Sequence, residues 1–152
     1  MEVNALSENS EAPVMNIHES GEDYLEQILI LETEGGYARS IDIAVALNFS
    51  KPSVSIAMKT LRERGYITMN EKSHIRLTPA GREIAERIYD RHRKITDFLV
   101  AIGADEQHAA EDACKMEHDI SDESFRAMCS ILKDPALCEM LRNQRLAGEK
   151  QA

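Results

Sequence analysis

The chain has 152 residues, 43% of them hydrophobic and 5% aromatic with no Trp, which excludes wholesale disorder and points to an aliphatic, helix-rich core. No apolar run approaches the roughly 20 residues a membrane span needs, and no basic segment leading into an apolar one marks a secretory signal. Three cysteines far apart in sequence suit a reducing cytoplasm better than a disulfide framework. The net charge of −9 is unevenly spread: residues 51–94 balance at +6, residues 1–50 at −9 and residues 95–152 at −6. A basic middle between acidic ends suits a polyanionic partner despite the total.

In chain order, residues 1–16 are polar and acidic and read as a mobile tail. A first helix is expected over Ser20–Glu34, with Tyr24, Leu25, Ile28, Leu29 and Leu31 as its apolar stripe and Gly35-Gly36 as its stop. A short helix follows over Ser40–Leu47, with Ser40 as N-cap. After the tight Asn48-Phe49-Ser50 link, a second one carries Pro52 in its first turn, aligns Val54, Met58 and Leu61, and ends at Gly65. The period then changes. Tyr66–Met69 and His74–Leu77 around the polar turn Asn70–Ser73 read as a hairpin. Thr78-Pro79 opens a long helix to about Ile102, stopped by Gly103. Further helices are expected over Ala104–His118, Ser121–Leu132 and Asp134–Arg145.

Helix, short turn, helix and hairpin make a winged helix-turn-helix over Tyr37–Thr78, which implies binding to double-stranded DNA. The second helix of that unit would enter the major groove, so Ser50, Lys51, Pro52, Ser53, Ser55 and, a turn later, Lys59 are the candidate readers. Arg39 joins them, and Lys72 and Arg76 sit where a wing meets the backbone or minor groove. Ser50 suits helix capping equally well.

A second constellation could bind metal. Cys114, Glu117 and His118, at i, i+3 and i+4, share one helix face. Asp23 and Glu26 are three apart on the first helix, and His92 lies on the long one. Taken alone, Asp23 and Glu26 read as a solvated helix face, and Cys114 as a buried thiol beside two surface polar residues.

Glu22-Asp23-Tyr24-Leu25-Glu26, Ser50-Lys51-Pro52-Ser53-Val54-Ser55, Leu77-Thr78-Pro79-Ala80-Gly81, Arg91-His92 and Cys114-Lys115-Met116-Glu117-His118 follow one another at spacings that resemble the diphtheria toxin repressor and manganese transport regulator (DtxR/MntR) family over about residues 20–145. The resemblance implies a mostly α fold with a small β-wing. Its expected division is residues 1–16 as tail, 17–80 as DNA-binding domain and 81–148 as helical dimerisation and metal-sensing domain, in a short form without an SH3-like domain. It implies a cytoplasmic homodimeric repressor of metal-uptake genes on a palindromic operator, with no membrane association and no enzymatic activity. Asp23, Glu26, His92, Cys114, Glu117 and His118 match the family's sensing positions one by one. Asp23 and Glu26 follow the manganese branch, which has an acid at position 114 as well, whereas Cys114 follows the iron branch. Mn²⁺ or Fe²⁺ is therefore the expected cofactor, with Co²⁺ or Zn²⁺ able to substitute in vitro. The iron branch's ancillary site is incomplete, because Thr96 and Ala110 stand where an acid and a histidine belong. The other readings are a winged-helix regulator that senses redox state, through Cys114, Cys129 or Cys138, or a small organic ligand. Cys129 and Cys138 suit helix core positions.

Overall fold

A computed structural model describes residues 20–151, so the expected tail over residues 1–16 lies outside the described residues. The elements run α1 (Ser20–Gly35), α2 (Ser40–Leu47), α3 (Lys51–Glu63), β1 (Ile67–Met69), β2 (Ile75–Leu77), α4 (Pro79–Ala101), α5 (Glu106–Met116), α6 (Asp122–Leu132) and α7 (Pro135–Glu149). This is a mostly helical chain with a two-stranded antiparallel wing. No helix among the described residues is long and apolar enough to cross a membrane.

The first core lies where α1 meets the helix-turn-helix. Tyr24, Leu25, Ile28 and Leu29 of α1 pack with Ile43 and Ala44 of α2 and with Val54, Ala57, Met58 and Leu61 of α3. α1 ends as expected: Gly36 takes a φ of 82° and returns its N–H to the Glu32 carbonyl at 2.7 Å. The cap of α2 is a correction. Ser40 is already helical, and the extended Arg39 occupies the cap position without a side-chain cap. Its guanidinium instead binds the Asp42 carboxylate at 2.8 Å, which sets a negative charge in the first turn.

The wing pairs Ile67 with Leu77, Thr68 with Arg76 and Met69 with Ile75. In its turn, Asn70 Oδ1 accepts from the backbone N–H groups of Lys72 and His74, each at 3.0 Å, and Ser73 adopts a left-handed φ of 60°. Ala38 adds a bridge to Ile75, so the segment before α2 tethers the wing to the core. At the base, Thr78 caps α4 by accepting from the Gly81 N–H at 3.2 Å. Gly81 has to be glycine, because a Cβ there would lie 2.0 Å from the Tyr66 carbonyl oxygen.

α4 carries the chain out of the winged unit into a helical layer. Ile88 and Ile95 of α4, Ala109 and Ala113 of α5 and Cys138 of α7 are buried there. α6 is amphipathic yet has no fully buried residue, with Phe125, Met128, Cys129, Ile131 and Leu132 half-exposed. Cys138 does sit in a core, but Cys129 belongs to the half-exposed face of α6, contrary to expectation.

Candidate metal centre and DNA-reading face

α1, α4 and the end of α5 converge on one group of polar side chains. α5 stops at Met116, two residues earlier than expected, so Glu117 and His118 occupy its closing turn. Glu117 keeps right-handed helical geometry (φ −59°, ψ −28°), and its N–H bonds the Ala113 carbonyl at 2.9 Å. The common face of Cys114, Glu117 and His118 therefore survives the end of the helix. Arg91, 9% exposed, explains how that end is held: it donates to the carbonyl oxygens of Glu117 at 3.1 Å and Ile120 at 2.8 Å, and it pairs with Asp122.

Five of the six nominated residues meet in two triads, His92 with Cys114 and Glu117, and Asp23 with Glu117 and His118, whose donor atoms lie within 4.8 Å of one another in each; Glu26 belongs to neither. His92 Nδ1 is 2.9 Å from Glu117 Oε2 and 3.6 Å from Cys114 Sγ. His118 Nε2 is 2.8 Å from Asp23 Oδ1 and 3.3 Å from Glu117 Oε1. Despite that proximity, Glu117 Oε1 is buried and makes no hydrogen bond, in a residue that is 0% exposed.

The titrations follow from these contacts. Hydrogen bonding to Cys114 and then to Glu117 pushes His92 up to about 10. Hydrogen bonding to Asp23, then to Glu22, pushes His118 up to about 9 against a desolvation penalty. Glu26 is pushed up to about 7, first by burial and then by the charge of Glu117, with which it hydrogen-bonds once protonated. Two imidazolium groups thus balance a pocket of carboxylates. A divalent cation would take over that balance and satisfy the orphaned Glu117 oxygen. Carboxylates, imidazoles and one thiol form a donor set suited to first-row divalent metals, so the residues fit such an ion.

Two residues of the site escape the sequence reading. Glu22, 7% exposed, accepts from His118 Nδ1 at 2.9 Å and lies 3.4 Å from Arg87. Its signal was present, since Glu22 and Glu26 stand at i and i+4. Arg91 was legible only as half of the Arg91-His92 landmark.

The iron-dependent repressor N-terminal DNA-binding domain matches residues 16–75, and the metal-binding and dimerisation domain of the same repressors matches residues 78–144. The transcriptional regulator MntR of Salmonella typhimurium is 37% identical over 110 residues, 72% of this chain and 70% of that protein. The HTH-type transcriptional regulator MntR of Geobacillus thermodenitrificans is 34% identical over 135 residues, covering 86% and 96%. This chain belongs to the DtxR/MntR family of metal-dependent transcriptional repressors. Among solved structures, T. acidophilum IdeR superposes with a TM-score of 0.67 at 30% identity over 74% of this chain, and the manganese regulator SloR with 0.66 at 27% over 74%. The chain spans about half the length of both, 53% in each case. Membership in a family of DNA-binding regulators with a dimerisation domain favours the metal-dependent reading over a redox or small-ligand sensor.

Apart from Arg39, the residues nominated for reading DNA lie on α3, at its cap, and on the wing. Ser50 caps α3, its hydroxyl accepting from the Ser53 N–H at 3.3 Å. Lys51, Pro52, Ser53, Ser55 and Lys59 are all exposed, as are Lys72 and Arg76 on the wing. Lys59 has a 4.0 Å contact with Glu63, and Arg39 is occupied by Asp42. Ile56 escapes the sequence reading: it points outward from α3 and is 62% exposed. The signal lay in the spacing: Val54, Met58 and Leu61 set the buried stripe of α3, and Ile56, two residues from both Val54 and Met58, falls off it.

Proposed function

We propose that this repressor is activated by Mn²⁺ or Fe²⁺ held by Asp23, Glu26, His92, Cys114, Glu117 and His118. The observation that carries this is Glu117, a fully buried carboxylate with one unpartnered oxygen, shared by two ligand triads. Leaving one oxygen of a buried carboxylate without a partner costs about 1–3 kcal/mol or more, so the site has room for further positive charge. Glu117 belongs to both triads, so it would serve as a ligand in either. Three carboxylates against one thiol favour Mn²⁺ or Fe²⁺ over softer ions, and the manganese regulators among the relatives support the same choice.

When bound, the cation supplies positive charge in place of the two imidazolium protons. His92 and His118 then offer neutral nitrogens, while Asp23 and Glu26 hold α1 to the end of α5. α1 also packs on α2 and α3, so its placement against α4 and α5 sets where α3 stands relative to the dimerisation layer. Fixing one such placement in each protomer biases the pair of recognition helices toward the spacing of a palindromic operator. On DNA, Ser53, Ser55 and Ile56 would meet base edges, and Arg39, Lys51, Pro52, Lys59, Lys72 and Arg76 would lie along the backbone, with the Ser50 cap setting the helix start. The working division is 17–80 for DNA and 81–148 for dimerisation and sensing, in a cytoplasmic regulator of metal-uptake genes that is not an enzyme.

The test is binding to operator DNA, selected from a random pool, during titration with Mn²⁺, Fe²⁺, Co²⁺ and Zn²⁺. Affinity should rise at least about tenfold with Mn²⁺ or Fe²⁺, corresponding to a coupling of about 1.4 kcal/mol, and a chelator should reverse it. Affinity indifferent to all four ions would sink the reading.

A further inference from the structure

We propose that Glu22 is a positioning residue of the metal centre, which holds His118 in the orientation and tautomer that turns Nε2 toward the ligands. This rests on the ligand set proposed above. The two ring nitrogens of His118 face different groups. Nε2 meets Asp23 Oδ1 at 2.8 Å and Glu117 Oε1 at 3.3 Å, both nominated ligands. Nδ1 meets Glu22 Oε2 at 2.9 Å. With its Nδ1–H donated to a carboxylate, the imidazole keeps its Nε2 lone pair for a cation and becomes a stronger donor.

The bland alternative is that Glu22 serves Arg87 on the surface. The geometry disfavours it: the Arg87 contact is 3.4 Å long from a side chain 63% exposed, whereas the His118 side chain is 2% exposed and its contact is shorter. Glu22 also holds the inner side of α1 to the closing turn of α5, 96 residues along the chain, beside the Asp23 contact that proposed cation binding would replace.

The test measures Mn²⁺ affinity of the full chain by competition with a chelating dye, without DNA, for Glu22→Ala, Glu22→Gln, Arg87→Ala and Asp23→Ala. Glu22→Ala should weaken Mn²⁺ binding about 10- to 100-fold. Glu22→Gln keeps an acceptor oxygen and should lie between Glu22→Ala and the parent, while Arg87→Ala should change affinity less than about threefold. In the Zn²⁺-loaded protein, nitrogen NMR of His118 should report the Nδ1–H tautomer in the parent and Glu22→Gln, and a disordered or mixed one in Glu22→Ala. The Co²⁺ visible bands should keep their positions in Glu22→Gln, since Glu22 is not itself a ligand. Parent-like affinity in Glu22→Ala, with binding lost in Asp23→Ala, overturns the role of Glu22 and leaves the ligand set standing. Parent-like affinity in Asp23→Ala as well overturns both. Altered Co²⁺ bands in Glu22→Gln make Glu22 a ligand and overturn its positioning role. The glutamine variant, which preserves volume and acceptor, keeps the test valid if the alanine variant fails to fold.

Discussion

Glu117 Oε2 lies 2.9 Å from His92 Nδ1, while Oε1 of the same carboxylate lies 3.3 Å from His118 Nε2 without bonding it. One buried acid thus sits between two imidazoles delivered by different parts of the chain. Glu117→Gln removes the charge and keeps the shape, so the fold should persist while cation binding is lost. In the parent, Mn²⁺ at about 100 times its Kd should add about 2.7 kcal/mol of stability. Thermal unfolding of Glu117→Gln should show little of that gain, and a parent-like metal-induced rise in Tm would remove Glu117 from the ligand set.

Metal binding should strengthen as pH rises. His92, raised to about 10, and His118, raised to about 9, are protonated at neutral pH, and Glu26, raised to about 7, is about half so. Ligation displaces these protons and that of the Cys114 thiol, so log K for Mn²⁺ should climb by about two to three per pH unit from about pH 7 to 9. The metal-free protein should behave oppositely. Its two histidines bind more protons folded than unfolded above about pH 6.5, so their stabilisation is complete below that value and disappears through about 9 to 10. Glu26 adds the same sign, since its folded form resists ionisation between about 4.5 and 7. Metal-free Tm should therefore fall from pH 6 to 9 while the metal-induced increment grows, as calorimetry with and without Mn²⁺ would record.

The helices were legible because their apolar spacing and stops are local. Tyr24, Leu25, Ile28 and Leu29 form a stripe, and Gly36 and Gly103 take the left-handed φ values that end α1 and α4. The six nominated ligands were legible as landmarks of a family; Asp23, His92, Cys114, Glu117 and His118 lie together in two triads, with Glu26 outside both. What stayed hidden depends on long-range contact. Ala38 pairing with Ile75 leaves no pattern in two residues, and Arg91 reaching the carbonyl oxygens of Glu117 and Ile120 cannot be seen from either segment alone. At α2 the difference is local: Arg39, not Ser40, takes the cap position, and its guanidinium pairs with Asp42 three residues on.

Cys114 should set which ion wins. Its thiol is exposed and 3.6 Å from His92 Nδ1, so it can ligate without rearrangement of the core. Cys114→Glu replaces a soft donor by a hard one and should raise the preference for Mn²⁺ over Zn²⁺ by about tenfold or more. Chelator competition with both ions reads the ratio directly. The Co²⁺-loaded parent should show a thiolate charge-transfer absorption that this variant lacks; an unchanged ratio and spectrum would place Cys114 outside the centre.

Phe125, Met128, Cys129, Ile131 and Leu132 leave a half-exposed apolar face on α6 that a second protomer would cover if the dimer forms there. Phe125 is partly used already, with Arg91 5.0 Å from its ring centroid, which leaves Met128 as the cleaner probe. Met128→Glu would bury a charge in that interface, so sedimentation should find monomer, while circular dichroism should keep the helix content of the parent. Operator affinity should fall with it, because two recognition helices then bind independently. A Met128→Glu dimer of parent strength would move the interface elsewhere.

Lys59 and Ile56 separate the two ways α3 can read DNA. Lys59 is exposed, with only a 4.0 Å contact to Glu63, so it is free to neutralise a phosphate. Lys59→Ala should weaken binding to all sequences alike and lower the slope of log K against log salt by about 1 per protomer. Ile56 carries no charge, yet it is among the most exposed large apolar side chains of the described residues, and the group in the major groove that rewards an apolar contact is the thymine methyl. Ile56→Ala should therefore leave the salt slope unchanged and weaken binding only where a thymine faces α3. Replacing thymines of the selected operator one at a time by deoxyuridine, which lacks the methyl, should identify that base: the parent loses affinity there and Ile56→Ala does not. If every such replacement affects parent and variant equally, Ile56 does not read the base, and its exposure has to be explained by a protein contact.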